Sequence, residues 1–156
     1  MTTLCCKVLE TLRASGKTLA TAESLTGGGI GAALTAVPGA SEVYRGGVIS
    51  YVNAVKEQVL RVPRDVLDRH GAVSAETAGY MASGARKLLE ADIAVSVTGL
   101  AGPGGDAFGH PVGTVYIGYE SAAGSLVKQF RFSGSREEIR TRTIQAALEL
   151  IQEHNA

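Results

Sequence analysis

Hydrophobic positions along the chain repeat with two different periods. Leu4, Val8 and Leu12 recur at four-residue steps with Cys5 and Leu9 beside them, which predicts a helix that Gly16 stops. Thr18 to Ala22 is an apolar run of strand length. A small-residue helix follows from about Gly28 to Val37, and Pro38-Gly39 ends it. Tyr44 to Tyr51 reads as a second strand and Val52 to Leu60 as a short helix. Pro63 suits a first helical turn, and Gly71 closes the segment carrying Val66, Leu67 and His70. Ser74 is placed to cap a longer helix, in which Ala78, Met81, Ala82, Ala85, Leu88 and Leu89 share one face. Ile93 to Val97 is a buried strand running into Thr98-Gly99, and Leu100 to Pro111 is a long loop. Val112 to Tyr119 and Leu126 to Phe132 form two more strands, joined by a turn near Ala123-Gly124. Ser135 with Glu138 makes a capping box for a last helix, which buries Ile139, Thr143, Ala146, Ala147, Leu150 and Ile151.

Helices alternating with strands, then a hairpin-like pair, predict an α/β fold. The expected form is a three-layer α/β/α sandwich with a mixed, mainly parallel sheet and one antiparallel member. At 156 residues, one domain over residues 1–156 is expected. No internal repeat, linker or low-complexity segment interrupts it.

Composition narrows the function classes. Fifteen Lys and Arg balance fifteen Asp and Glu, and aromatic residues are 5% of the chain. Neither a cationic field nor a base-stacking platform is available, so nucleic acid is not an expected partner. No run approaches the roughly 18 apolar residues needed to span a membrane, and no membrane partner is expected. The segment Met1 to Lys7 lacks the basic-then-apolar order of a secretory leader. The two cysteines, Cys5 and Cys6, are adjacent, which suits neither a bridge nor a metal site. A reducing, cytoplasmic setting without metal is therefore expected.

Glycine changes the picture. Twenty glycines, against a usual share of roughly 7%, gather at Gly27 to Gly29, Gly46-Gly47 and Gly102 to Gly105. Close approach of the backbone to a ligand is the expected reason. In open α/β sheets ligands sit beyond the carboxyl ends of strands. Three polar, glycine-rich segments fall there: Glu23 to Gly29, Tyr51 to Lys56, and Thr98 to Asp106. Ser24, at the first strand-to-helix turn, is a nucleophile backed by amides around Thr26, Gly27 and Gly28, or else Ser24 or Thr26 is a helix cap. Lys56 is a buried general base for that serine, or a solvated lysine beside Glu57. Thr98, Gly99, Gly102, Gly104 and Gly105 suit an anion nest, or a flexible turn. Arg136 and Arg140, one helical turn apart, either reach an anion or lie on a solvated face.

Several motifs fail. Gly27 to Ala32 fits the G-x-G-x-x-A dinucleotide turn, but the next strand ends in Ser50-Tyr51 rather than an acid. Ser125 to Lys128 fits S-x-x-K, but in a strand these two side chains face apart. The phosphate loop G-x-x-x-x-G-K-[ST] is absent.

The strings TAESLTGGGIGAALTAVPGASEVYRGGVISYVNAVKEQVL, HGAVSAETA, VSVTGLAGPGG and PVGTVYIGY closely resemble the C-terminal domain family of the competence/damage-inducible protein CinA. The likeness runs from about Leu4 into the last helix. Without the family's N-terminal molybdopterin-binding-like companion, the sequence resembles the short form. The resemblance implies a three-layer α/β/α fold. It also implies a nicotinamide-nucleotide amidase, which converts nicotinamide mononucleotide to nicotinate mononucleotide and ammonia in pyridine nucleotide recycling. No cofactor is implied, and self-association is.

Carried onto this sequence, the AES-x-TGG motif supplies Ser24, and Y-x-N-x-x-K falls on Tyr51, Asn53 and Lys56. The serine of P-G-x-S is Ser41, a second candidate nucleophile, and the arginines after S-G-x-R are Arg136 and Arg140. The implied chemistry is of the Ser–Lys amidase kind, with Tyr51 tuning Lys56 or touching substrate. Where the family has a glycine and later a lysine, this sequence has Asp106 and His110, and a carboxylate beside a phosphate nest is unfavourable. A rival class is a non-catalytic nucleotide-binding or competence-related interaction module, and a third is an amidase for another small amide.

Overall fold

The computed structural model describes residues 1–156. Five strands, β1 (Leu19–Glu23), β2 (Tyr44–Ile49), β3 (Ile93–Gly99), β4 (Thr114–Ser121) and β5 (Gly124–Arg131), form one sheet in the order β2-β1-β3-β4-β5. β1 pairs in parallel with both β2 and β3, whereas β4 is antiparallel to β3 and to β5. Only β4 runs against the rest, as the sequence pattern implies.

Six α-helices cover the sheet: α1 (Thr2–Ala14), α2 (Gly29–Thr35), α3 (Asn53–Gln58), α4 (Arg64–His70), α5 (Ala75–Leu88) and α6 (Arg136–Glu153). Packing of α1, α2 and α6 against one another and the sheet builds the larger core, around Leu9, Leu12, Leu34, Ile93, Ile117, Leu148 and Ile151. On the other face α5 lies against β1, β3 and β4, over Ala20, Ala22, Met81, Ala85 and Ala94. Small sheet residues let it approach closely: a β-carbon at Gly118 would fall 2.6 Å from the Ala78 carbonyl oxygen. The result is the expected α/β/α sandwich with a mixed sheet.

Both predicted caps form. Ser74 Oγ accepts from the Thr77 N–H, and Ser135 and Glu138 exchange side-chain and backbone bonds. Pro63 differs from expectation, because it stands in extended conformation just before α4 rather than in its first turn.

The carboxyl ends of β1, β2 and β3 share one rim, and each is followed by a polar turn. At the end of β1, Gly27 and Gly28 have φ of +58° and +96°. Side chains with a β-carbon rarely adopt these values, so the glycine pair is what turns the chain from Ser24 into α2. Those glycines thus serve the turn itself, together with contacts inside the protein: Gly28 faces the Ile49 side chain and Gly29 faces Ile144.

Candidate active site

Beyond that rim lies a cavity of about 550 Å³ whose lining includes Ser24, Tyr51, Asn53, Lys56, Thr98, Gly99, Gly102, Gly104, Asp106 and Arg136. The three loops singled out by sequence therefore meet at one cleft, as a parallel sheet dictates.

Lys56 forms its floor. It lies on α3 yet is only 1% exposed, because its stem runs inward under the β1 and β2 ends. Its Nζ sits 2.9 Å from Ser24 Oγ, 2.6 Å from the Ser50 carbonyl oxygen and 3.2 Å from the Tyr51 carbonyl oxygen. Burial alone lowers its pKa from 10.5 to about 8, since taking the ammonium out of water disfavours the charged form. Carbonyl oxygens only accept hydrogen bonds. A neutral amine must therefore point its two N–H groups at Ser50 and Tyr51, which leaves its lone pair for the Ser24 hydroxyl. The two carbonyls aim the base.

Ser24 is 7% exposed, and its own N–H is held by the Val97 carbonyl of the neighbouring strand. The following turn is braced from both sides. Glu23, 2% exposed, accepts from Thr26 Oγ1 at 2.6 Å and from the N–H groups of Ile30 and Gly31 at 2.8 and 3.1 Å. Arg140 donates from Nε to the Leu25 carbonyl at 2.9 Å and from Nη2 to the Thr26 carbonyl at 3.2 Å. The Gly27 N–H is used on the Ser24 carbonyl, while those of Leu25 and Thr26 have no acceptor in the chain. Two backbone N–H groups immediately after the serine are thus left without an acceptor in the chain, and of the two residues Leu25 lines the cavity.

Several expectations need correction. Arg140 does not line the cavity; its guanidinium is spent on the turn carbonyls. Arg140→Met should lower the unfolding free energy in urea by about 1–3 kcal/mol through loss of two charge-assisted bonds. Thr26, Gly27 and Gly28 shape the turn rather than the cavity wall, and Gly105 also falls outside the lining. Ser41 is exposed in the 3₁₀ turn Ala40–Glu42 before β2, in a depression with Thr35, Pro38 and Arg45. The length of β2 separates it from Lys56, so it does not share that base. Tyr51 meets Lys56 through its carbonyl, while its hydroxyl accepts from Arg136 Nη2 at 3.1 Å. Arg136 Nη1 also donates to the Gly102 carbonyl at 2.6 Å, which ties α6 to the glycine loop.

Asp106 turns inward on its own loop. Oδ1 accepts from the Phe108 and His110 N–H groups at 3.2 and 3.0 Å, and Oδ2 lies 2.7 Å from His110 Nδ1. Desolvation raises its pKa, but these bonds from His110 and Phe108 outweigh it and hold the carboxyl below its ordinary value. The carboxylate thus spends its hydrogen-bonding capacity within its own loop. Sequence reasoning assigned no role to Glu23, Arg140 as a brace, or Phe108. Only Glu23 left a signal, as an acid closing a buried strand, where a carboxylate must find donors.

Residues 1–154 match the family model described as the CinA C-terminal domain. The chain belongs to the CinA C-terminal domain family. It is 52% identical over 129 residues to a CinA-like protein of Parasynechococcus marenigrum, covering 83% of this chain and 31% of that one. Among solved structures, the competence/damage inducible protein CihA of Agrobacterium tumefaciens superposes with a TM-score of 0.95 at 38% identity, covering 99% and 95% of the two chains. A competence-damaged protein (CinA) superfamily member from Klebsiella pneumoniae gives 0.95 at 34% identity, over 97% and 95%. This CinA domain spans about a third of the length of the sequence relatives it matches. No helix in it is long and apolar enough to cross a membrane.

Proposed function

We propose that this CinA domain is an amidohydrolase that converts nicotinamide mononucleotide to nicotinate mononucleotide and ammonia, with Ser24 as nucleophile and Lys56 as base. The 2.9 Å contact between a buried, unpaired lysine and a pocket serine carries this reading. A pocket that only bound a nucleotide would have no use for an amine whose burial costs stability.

In this mechanism neutral Lys56 takes the Ser24 proton as Oγ bonds to the carboxamide carbon. The N–H group of Leu25, the cavity-lining residue next to the serine, receives the oxyanion. Lys56, now an ammonium, returns the proton to the departing nitrogen as the C–N bond breaks, and ammonia leaves. Water then attacks the Ser24 ester with Lys56 again as base. Nicotinate mononucleotide is released and the serine hydroxyl restored. The positive pyridinium ring withdraws electrons from the amide carbon and assists both additions.

The phosphate fits the glycine loop. The N–H groups of Gly102, Gly104 and Asp106 have no acceptor in the chain, and Arg136 stands beside them with donors to spare. Ammonia release is the test, measured with nicotinamide mononucleotide, its riboside, free nicotinamide and aliphatic amides. Release from the mononucleotide above all others is expected, and no release from any of them overturns the reading. Arg136→Met should raise KM for the mononucleotide about tenfold and leave the riboside's unchanged.

A further inference from the structure

The cavity mouth carries an aromatic side chain that no step above uses. Phe108 lines the cavity yet is 48% exposed. Isolated exposed apolar residues are ordinary, but this one is held in place by two independent devices. Asp106 Oδ1 takes the Phe108 N–H and so fixes the backbone that bears the ring. The ring itself lies on Gly71, where a β-carbon would fall 2.6 Å from its edge, so the absence of a side chain at Gly71 is what makes its seat. Gly71 has φ of +79° at the end of α4, which adds a second reason for glycine there. Tyr51, 57% exposed, also lines the cavity and is held from the α6 side by Arg136. Two pinned aromatic rings thus border a cavity whose floor is the Ser24–Lys56 pair.

From this geometry we infer that Phe108 is a specificity-determining residue: its phenyl face takes the flat aromatic ring that carries the scissile amide. The inference rests on the amidase reading above and names the part of the substrate that this residue recognises. A fixed phenyl ring offers a planar heteroaromatic partner stacking at no cost of ordering, and its negative face favours a cationic pyridinium over a neutral ring. An aliphatic amide gains neither.

Equilibrium binding separates this inference from the fate of the chemistry. Nicotinamide mononucleotide and ribose 5-phosphate serve as probes, titrated into Ser24→Ala protein with Phe108 intact, Phe108→Ala or Phe108→Leu. Leucine keeps apolar bulk on Gly71 without an aromatic face. Both Phe108 variants should weaken binding of the mononucleotide about tenfold, with ribose 5-phosphate binding unchanged. In the Ser24 enzyme, Phe108→Leu should raise KM by a similar factor and leave kcat within about twofold. Unchanged binding of the mononucleotide by either variant overturns the inference, whether or not the enzyme releases ammonia. So does equal weakening of ribose 5-phosphate, which would mean a disturbed phosphate loop. Failure of the Phe108 protein to bind the mononucleotide at all overturns it too. Absence of ammonia alongside the expected binding differences would sink the amidase reading and leave the ring contact standing.

Discussion

Alanine at Ser24 should reduce ammonia release from nicotinamide mononucleotide by about 10³-fold or more, because no other hydroxyl in the chain shares the Lys56 amine. The fold should persist. Ser24 contributes one acceptor to Lys56, and the Ser50 and Tyr51 carbonyls remain. Substrate affinity should change little, since in the proposed mechanism Oγ acts on the amide carbon and not on the phosphate or ring. Ser41→Ala is the matched control and should retain near-normal turnover, since Ser41 lies in a different depression before β2. Rapid denaturation of working enzyme followed by peptide mass analysis should find the ester on Ser24 alone. Near-normal ammonia release by the Ser24 variant would remove the covalent step from the mechanism.

Methionine at Lys56 should lower turnover by at least about 10²-fold and abolish its pH dependence on the alkaline side. With a pKa of about 8, roughly one lysine in ten is neutral at pH 7 and about nine in ten at pH 9. Wild-type kcat should therefore rise through pH 8 and level off above it.

Stability supplies an independent reading of the same group. The unfolded chain binds the Lys56 proton up to about pH 10.4, whereas the folded chain releases it near pH 8. Between those values the unfolded state holds more protons, so wild-type stability gains with rising pH across the window, by about 3 kcal/mol in all. Below pH 8 both states are protonated and the full cost of burying the ammonium is present. The difference in unfolding free energy between wild type and Lys56→Met should show this rise, measured in urea at successive pH values. A flat difference would mean that the amine is solvated and keeps an ordinary pKa.

Much of this site was legible in the chain. Ser24 and Lys56 stood out because a parallel sheet brings the turns after its strands to one rim, and strand ends can be read from apolar runs bounded by glycine and polar residues. Nearness along the string is not nearness to the cavity. Gly27 and Gly28 sit in the same string as Ser24, yet their positive φ angles show that they turn the chain. Arg136 and Arg140 occupy equivalent-looking places one turn apart on α6. One reaches the cavity and the other reaches back to the Leu25 and Thr26 carbonyls, a difference set by where α6 crosses the β1 turn.

The sequence by itself determined the alternation of helix and strand, the caps at Ser74 and Ser135 and the layered α/β/α order. Each of these follows from periods and short-range hydrogen bonds among residues close in the chain. Tertiary structure alone decided that Lys56 is buried beside Ser24, that Ser41 is not, and that Glu23 and Arg140 brace one turn from opposite sides. Burial, and with it the lowered pKa of an amine, depends on what other segments place around a side chain. Here those segments are the strand ends carrying Ser24 and Ser50, which lie 32 and 6 residues from Lys56. Local sequence carries no record of that distance.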